Sequence, residues 1–334
     1  GDNDLNKLAE ADRLAEAVAH GQMSIAQGHT ALRQLDRPPR RRDKVFTAVS
    51  FGLTSAAVAG LWRLPWLDIA TAGVIGVLIG LLTLYCDRRV ATREASEALS
   101  ALLAGFVAVA VAAFIGPLNL NSVIIASLVV LLPGLVLTNA VNELSSQHWV
   151  SGTARFAGAM TTVLKLTVGA VIAVTVAGAI GIEPVVQAWR PQPEVVEWGA
   201  LLVAAIAFAM VFKANLRDWP WVVLAVLGGY SISRYGGKAW GAMSGIFLAA
   251  MALTAAGNLF GRVFKRPGAI VRLPGIIILV PGSTSLRGVM DLVQRQDMLA
   301  GQSAFISVLS VVMALVAGLL FGNLLLPARK NQNL

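Results

Sequence analysis

The sequence is poor in charge and in the residue types that build common metal and disulfide sites. Only 13% of its 334 residues are charged, and 56% are hydrophobic, whereas a soluble domain carries about 25% charged residues. Its single cysteine, Cys86, excludes an internal disulfide, and its three histidines have no metal-ligand spacing. These absences exclude a soluble enzyme, a disulfide scaffold and a disordered chain. They predict an integral membrane protein with no metal or other cofactor.

The net charge of +9 reports membrane orientation rather than nucleic-acid binding, because most Lys and Arg residues lie between apolar segments. Sixteen fall in loops assigned to the inside, and six fall outside: Arg63, Arg190, Arg234, Lys238, Arg287 and Arg295. This bias predicts a multi-pass protein of the inner (plasma) membrane with both termini cytoplasmic.

The first 44 residues form a hydrophilic head. Apolar residues at helical spacing over residues 1–36 predict two short helices, and Ser24 with Gln27 fits a capping box. A basic, Pro-Pro-containing collar over residues 37–42 ends this hairpin. We expect a small cytoplasmic domain, residues 1–44, with no catalytic cluster.

Ten apolar segments are long enough to approach the roughly 20 residues that a spanning helix needs. They cover residues 45–62, 67–85, 98–115, 119–142, 155–181, 195–212, 219–235, 239–260, 268–289 and 303–327. The fold class predicted is therefore an all-α polytopic membrane protein with ten transmembrane helices.

An internal repeat divides these segments into two halves. The fourth and ninth segments share the pattern Pro-Gly, eight residues, an acid and Leu, with an offset of 148 residues. When 148 is added to their residue numbers, the five apolar segments within residues 45–182 overlap the five segments within residues 193–330. Five segments per half is an odd number, so the halves are inverted-topology repeats, which are typical of alternating-access transporters.

Short polar side chains follow each break, and freed carbonyls or half-helix ends there can coordinate a substrate. The predicted substrate-binding residues are Pro133, Gly134, Thr138, Asn139, Asn142, Lys165, Pro281, Gly282, Ser283, Thr284, Ser285 and Arg287. Glu143 and Asp291, the matched acids, are predicted proton carriers, with helix ends in water as the alternative. Lys165 either binds substrate or forms a structural ion pair. Asp68, near a helix start, is interpreted as a helix cap.

Two runs of residues resemble a known family. Residues Pro133 to Leu144, followed by Ser151-Gly152-Thr-Ala-Arg155, are similar to the core signature of threonine/serine exporters of the ThrE type. Residues Pro274 to Gly282 resemble the signature of that family's second half, and Gly21-Gln-Met-Ser24 the end of its N-terminal region. The resemblance implies ten transmembrane helices and export of threonine and serine driven by the proton motive force.

Relatives of this family include dicarboxylate (succinate) exporters, so a dicarboxylate is the alternative substrate. The family has a longer N-terminal region, which predicts a trimmed chain, and Ser283-Thr284-Ser285 departs from its apolar pattern. An intramembrane enzyme is disfavoured because the two acids fall near opposite faces, and a channel is disfavoured by the inverted halves. The expected partners are a small substrate, protons and lipid, with a homo-oligomer left open.

Overall fold

The computed structural model describes residues 4–35, 41–87, 90–186, 191–280, 282–295 and 298–327. These residues are almost entirely helical, with one isolated β-bridge between Leu118 and Val186. The helices are α1 (Leu5–Ala19), α2 (Ile25–Gln34), α3 (Arg41–Leu61), α4 (Trp66–Cys86), α5 (Val90–Phe114), α6 (Leu120–Ser127), α7 (Gly134–Ser145), α8 (Trp149–Ala179), α9 (Glu194–Val211), α10 (Trp219–Trp240), α11 (Ala242–Phe264), α12 (Ala269–Ile277), α13 (Gly282–Arg295) and α14 (Met298–Leu325).

Every predicted apolar segment lies on a helix or a pair of helices. Eight correspond to single helices, whereas the fourth is divided into α6 and α7 and the ninth into α12 and α13. The all-helical prediction is confirmed, and both interruptions fall at the Pro-Gly dipeptides, because proline lacks the N–H of a continuing helix.

Seven helices in the described residues are long and apolar enough to cross a membrane, and the bent pair α6–α7 would make eight. The chain is therefore a multi-pass membrane protein. The other two predicted spans are not among these. Helices α12 and α13 have 9 and 14 residues and are separated by residue 281, which lies outside the described residues, and the second half of α10 carries Arg234 and Lys238.

The helices form two compact units. The larger unit contains residues 46–207 and 280–316. In it α5 packs along α8, α4 packs on α5 and α6, and α13 contacts α6 and α8. Small residues allow close approach: a Cβ at Gly80 would lie 2.8 Å from the Ala48 Cα of α3. This unit holds both Pro-Gly breaks.

The smaller unit contains residues 1–45, 208–279 and 317–334. Helices α10, α11 and α12 pack together. The predicted N-terminal hairpin is confirmed as α1 and α2, including the Ser24–Gln27 capping box. The Leu5 N–H donates to the Phe212 carbonyl at 2.9 Å, which joins the hairpin to the chain after α9. Most of the predicted basic collar lies outside the described residues.

Candidate transport site

The two Pro-Gly breaks meet inside the larger unit. Between α6 and α7 the chain bends by 52°, with Pro133 directly before α7. A Cβ placed on Gly134 would lie 3.3 Å from the Val280 Cβ and 3.7 Å from the Gly282 Cα. The backbone at Gly134 thus lies so close to Val280 and to Gly282, 148 residues further along the chain, that a side chain at position 134 would collide with Val280.

A polar cavity of about 730 Å³ lies in the same unit. Ser283 and Arg287 of α13 line this cavity, and Ser283 is the residue directly after the second Pro-Gly dipeptide. Its other polar lining side chains are those of Trp62, Arg63, Asn119 and Ser122. These residues come from the α3–α4 connection and from the start of α6.

Two guanidinium groups give this cavity a positive character. The Arg287 guanidinium carbon is 5.5 Å from the centre of the Trp62 ring, a cation–π distance. The Arg63 Nε donates to the Gln192 carbonyl, which leaves its terminal nitrogens to other partners. No carboxylate is among the cavity's lining residues in the described part of the chain. The arrangement suits an anionic group flanked by hydroxyl and amide partners.

The other predicted substrate residues are distributed around this cavity rather than in it. Thr138 is buried and its hydroxyl donates to the Gly134 carbonyl at 3.1 Å. Asn139 is exposed and Asn142 is half-buried on α7. Ser285 is buried beside a second, apolar cavity of about 210 Å³. Pro281 and the side chains of Thr284 and Asp291 lie outside the described residues.

The two other charged candidates each have an ionic partner. The Glu143 Oε1 lies 2.8 Å from the Arg155 Nε, while its Oε2 is buried with no hydrogen-bond partner among the described residues. The Lys165 Nζ lies 3.1 Å from the Glu97 Oε2 and donates to the Glu94 carbonyl. Lys165 does not line the polar cavity.

Asp68 has an environment that the sequence interpretation missed. The helix-cap interpretation is wrong, because the N-cap of α4 is Pro65, with no side-chain cap hydrogen bond. Asp68 is fully buried, and its Oδ2 accepts from the Asn119 side-chain amide at 2.7 Å and backbone N–H at 3.3 Å. The only available signal was an acid inside an apolar segment, between Leu67 and Ile69.

Nothing in the described residues groups three or more His, Cys, Asp or Glu side chains in a way that could hold a metal ion. The charged groups in and around the site instead contact other protein groups. Arg287 contacts the Trp62 ring and Arg63 a backbone carbonyl, whereas Glu143 pairs with Arg155 and Asp68 accepts from the Asn119 amide.

Comparison with known proteins gives two family matches that together cover most of the chain. A model of the family described as "Putative threonine/serine exporter" (ThrE) matches residues 1–177. A model of the family described as "Threonine/Serine exporter, ThrE" matches residues 199–325. Both describe exporters rather than enzymes, and the resemblance read from the Pro-Gly motifs is confirmed.

Curated relatives are distant in sequence. The "Pheromone-regulated membrane protein 10" of Candida albicans is 23% identical over 272 residues, 78% of this chain and 24% of that protein. The "Probable threonine/serine exporter" of Mycobacterium tuberculosis is 25% identical over 169 residues, 51% of this chain and 32% of that protein. This chain thus spans about a quarter to a third of the length of these relatives. No solved structure matches it.

Proposed function

We propose, from the premise that this chain belongs to the ThrE threonine/serine exporter family, that it is a secondary active transporter that exports L-threonine and L-serine in exchange for protons. The observation that carries this proposal is the meeting of the two Pro-Gly breaks, Gly134 against Val280 and Gly282, in the unit that contains the polar cavity. Paired broken helices at matched sequence positions are the usual site of substrate binding in carriers.

The proposed topology has ten spans arranged as two inverted five-helix repeats, with both termini in the cytoplasm and the protein in the inner membrane. The eight spans counted by length and hydropathy are completed by α10 and by the pair α12–α13. The latter is interrupted at its Pro-Gly dipeptide as α6–α7 is at its own. Alternating access then moves one broken helix against the other.

The cavity chemistry suggests how an amino acid binds. Arg63 and Arg287 receive the carboxylate, while Ser122, Ser283 and Asn119 are within the same cavity to bind the hydroxyl and ammonium groups. Residues around the breaks, Thr138, Asn139, Asn142 and Ser285 among them, line the path that opens when the broken helices move. Glu143 and Asp291 remain candidates for proton coupling because of their matched positions, and Lys165 is assigned to its pair with Glu97.

A second substrate class has a specific observation in its favour. The cavity lining contains two arginines and no carboxylate among the described residues, so a dicarboxylate such as succinate would have one guanidinium for each end. An amino acid needs instead an acceptor for its ammonium group, which the lining offers only through neutral oxygens.

The test is uptake of labelled threonine, serine and succinate into proteoliposomes, with and without an acidic lumen. Saturable threonine or serine uptake that the pH gradient drives is the expected result. Uptake of succinate alone would support a carrier whose substrate is a dicarboxylate rather than an amino acid. Absence of gradient-driven, saturable uptake for all three would contradict the proposed function.

A glycine pair separates the role of the breaks from general stability. Gly134→Ala places a methyl group against Val280, whereas the same change at Gly158 on α8 meets no atom within 4 Å. We expect Gly134→Ala to reduce uptake about tenfold or more, because small misplacements at a binding site cost large factors. Gly158→Ala is the matched control. Equal uptake by the two folded variants would remove the contact between the breaks from the mechanism.

A further inference from the structure

We infer that Asp68 binds the transported proton and that Asn119 transmits its protonation state to the substrate cavity, an inference that rests on the proposed function. Asp68 is the third residue of α4 and is fully buried. One carboxylate oxygen, Oδ2, takes both Asn119 donors. The other, Oδ1, is buried and has no hydrogen-bond partner in the described residues.

Among the described residues, the buried Oδ1 of Asp68 lacks the partners that a charged carboxylate needs. A buried carboxylate is normally paired with a cation or fully hydrogen-bonded, because an unpaired charge in an apolar surrounding is costly. Asp68 has no ion pair within the described residues. A proton on Oδ1 would neutralise the group and leave the two hydrogen bonds to Oδ2 in place. The site is thus built to exist in both a charged and a neutral form.

The elements around Asp68 differ in the charged groups that they carry. Helix α6 contains no ionisable residue. Helix α5 runs back from the far end of α4, so its Arg93, Glu94 and Glu97 lie toward the opposite end from Asp68. Helix α3 carries its acid and bases in its first turn. The charges toward the Asp68 end include Arg63, which follows α3, and Arg287 of α13, and both line the cavity that Asn119 also lines. The acids at this end are Glu194 and Glu197 in the first turn of α9, a helix that packs against Gly60 through Ala200, and Glu183, in the segment whose Val185 carbonyl accepts from the Leu118 N–H.

Asn119 is the link between the two sites. It donates to Asp68 through its side-chain amide nitrogen and also lines the cavity. When Asp68 is charged, this bond fixes the amide, and the amide oxygen is left to accept from the ammonium or hydroxyl group of a substrate. When a proton neutralises Asp68, Oδ2 becomes a weaker acceptor and the amide is released. Proton binding and substrate binding then oppose each other, as exchange requires.

The test compares Asp68→Asn with two other acid-to-amide changes in proteoliposomes. Asp87→Asn is the matched control, since Asp87 is an exposed acid at the other end of α4, and Glu143→Gln is the comparison at the repeat-matched position. Each variant is assayed for threonine uptake driven by an acidic lumen, for exchange of labelled against unlabelled threonine without a gradient, and for lumenal pH change during transport.

Asp68→Asn is expected to reduce gradient-driven uptake about tenfold or more, to the level seen without a gradient, and to abolish the lumenal pH change with it. Threonine exchange and the Asp87→Asn variant should remain near wild type. Loss of the pH change in Glu143→Gln but not in Asp68→Asn would assign the transported proton to the repeat-matched acid and overturn the inference. Gradient-driven uptake with its pH change intact in Asp68→Asn would overturn the inference. If the wild type itself transports nothing, the proposed function fails instead, so the two failures are distinguishable.

A measurement on the unmodified protein covers the case in which Asp68→Asn does not fold. Dicyclohexylcarbodiimide is an apolar reagent to which a protonated carboxyl group adds: the carboxyl oxygen attacks the carbodiimide carbon and the proton passes to its nitrogen. Mass spectrometry of the Asp68 peptide reports the adduct. We expect modification that falls as pH rises and that changes when threonine is added. Modification that is absent, or insensitive to both pH and threonine, contradicts the inference.

Discussion

Asp68 and Asp218 are both buried aspartates at the start of a helix, and they differ in what holds them. Asp218 is the N-cap residue of α10 and is 2% exposed. Its two carboxylate oxygens accept hydrogen bonds from the two terminal nitrogens of Arg266, one of them at 2.7 Å. Asp68 is 0% exposed, and its hydrogen-bond donors among the described residues are the neutral side-chain amide and the backbone N–H of Asn119. An arginine that donates two hydrogen bonds stabilises the charged form of a carboxylate. A neutral amide partner lacks this charge, so the carboxylate can take up a proton without breaking an ion pair.

The two aspartates also correspond in sequence position. Asp68 and Asp218 lie 150 residues apart, close to the 148-residue offset of the Pro-Gly motifs. Under the proposed repeat, α4 and α10 are equivalent helices, and the two acids stand at nearly equivalent positions. One half then carries a fixed ion pair where the other carries a protonatable group. Such asymmetry would let the proton act on one half alone.

The largest effect on stability is expected at the fixed pair. Asp218→Ala leaves the Arg266 side chain, which is 33% exposed, without this carboxylate. We therefore expect a cost of about 2–3 kcal/mol, at or below the low end for breaking a fully buried ion pair. The apparent melting temperature of the detergent-solubilised protein should fall clearly. Arg217→Ala, an exposed neighbour, is the control and should change it little. Equal melting temperatures for the two variants would contradict the structural role of the Asp218–Arg266 pair.

The sequence predicts the helices well and the site only in part, for a physical reason. Helix spans and breaks depend on local hydropathy and on proline, so the interruption at Pro133 and the hairpin capped by Ser24 were accessible. The partners of Asp68 and Arg287 depend on contacts between distant helices, which no spacing rule encodes. Asn119 meets Asp68 across 51 residues. Arg63, counted in the sequence as a loop charge, lines the cavity with Arg287.

An intermediate effect is expected when the neutral partner is removed. Asn119→Ala takes away the side-chain donor but keeps the backbone N–H on Asp68. Because a hydrogen bond to a charged group contributes about 1.5–3 kcal/mol, we expect a moderate loss of stability. In transport, the competition between protons and threonine should weaken, seen as a smaller change of apparent threonine affinity with pH. Ser122→Ala, which alters another lining side chain of the cavity, tests whether any change in the lining has this effect.

Three outcomes distinguish the roles that Asn119 could have. Loss of affinity at every pH in both variants would make Asn119 an ordinary substrate contact. Loss of the pH dependence in Asn119→Ala alone would support its function as the link. An unchanged pH dependence in a folded Asn119→Ala protein would contradict the link and leave Asp68 without a route to the cavity.

The smallest effect is expected at the Lys165–Glu97 pair, whose side chains are 38% and 28% exposed. Partly solvated pairs contribute at most about 1 kcal/mol, so Lys165→Met should lower the apparent melting temperature only slightly. Because Lys165 does not line the polar cavity, the apparent affinity for threonine should not change. The double variant Lys165→Met, Glu97→Gln should be no less stable than Lys165→Met alone, since each change removes the same pair. A large loss of threonine affinity in Lys165→Met would instead restore Lys165 as a substrate-binding residue and move part of the site away from the arginines of the cavity.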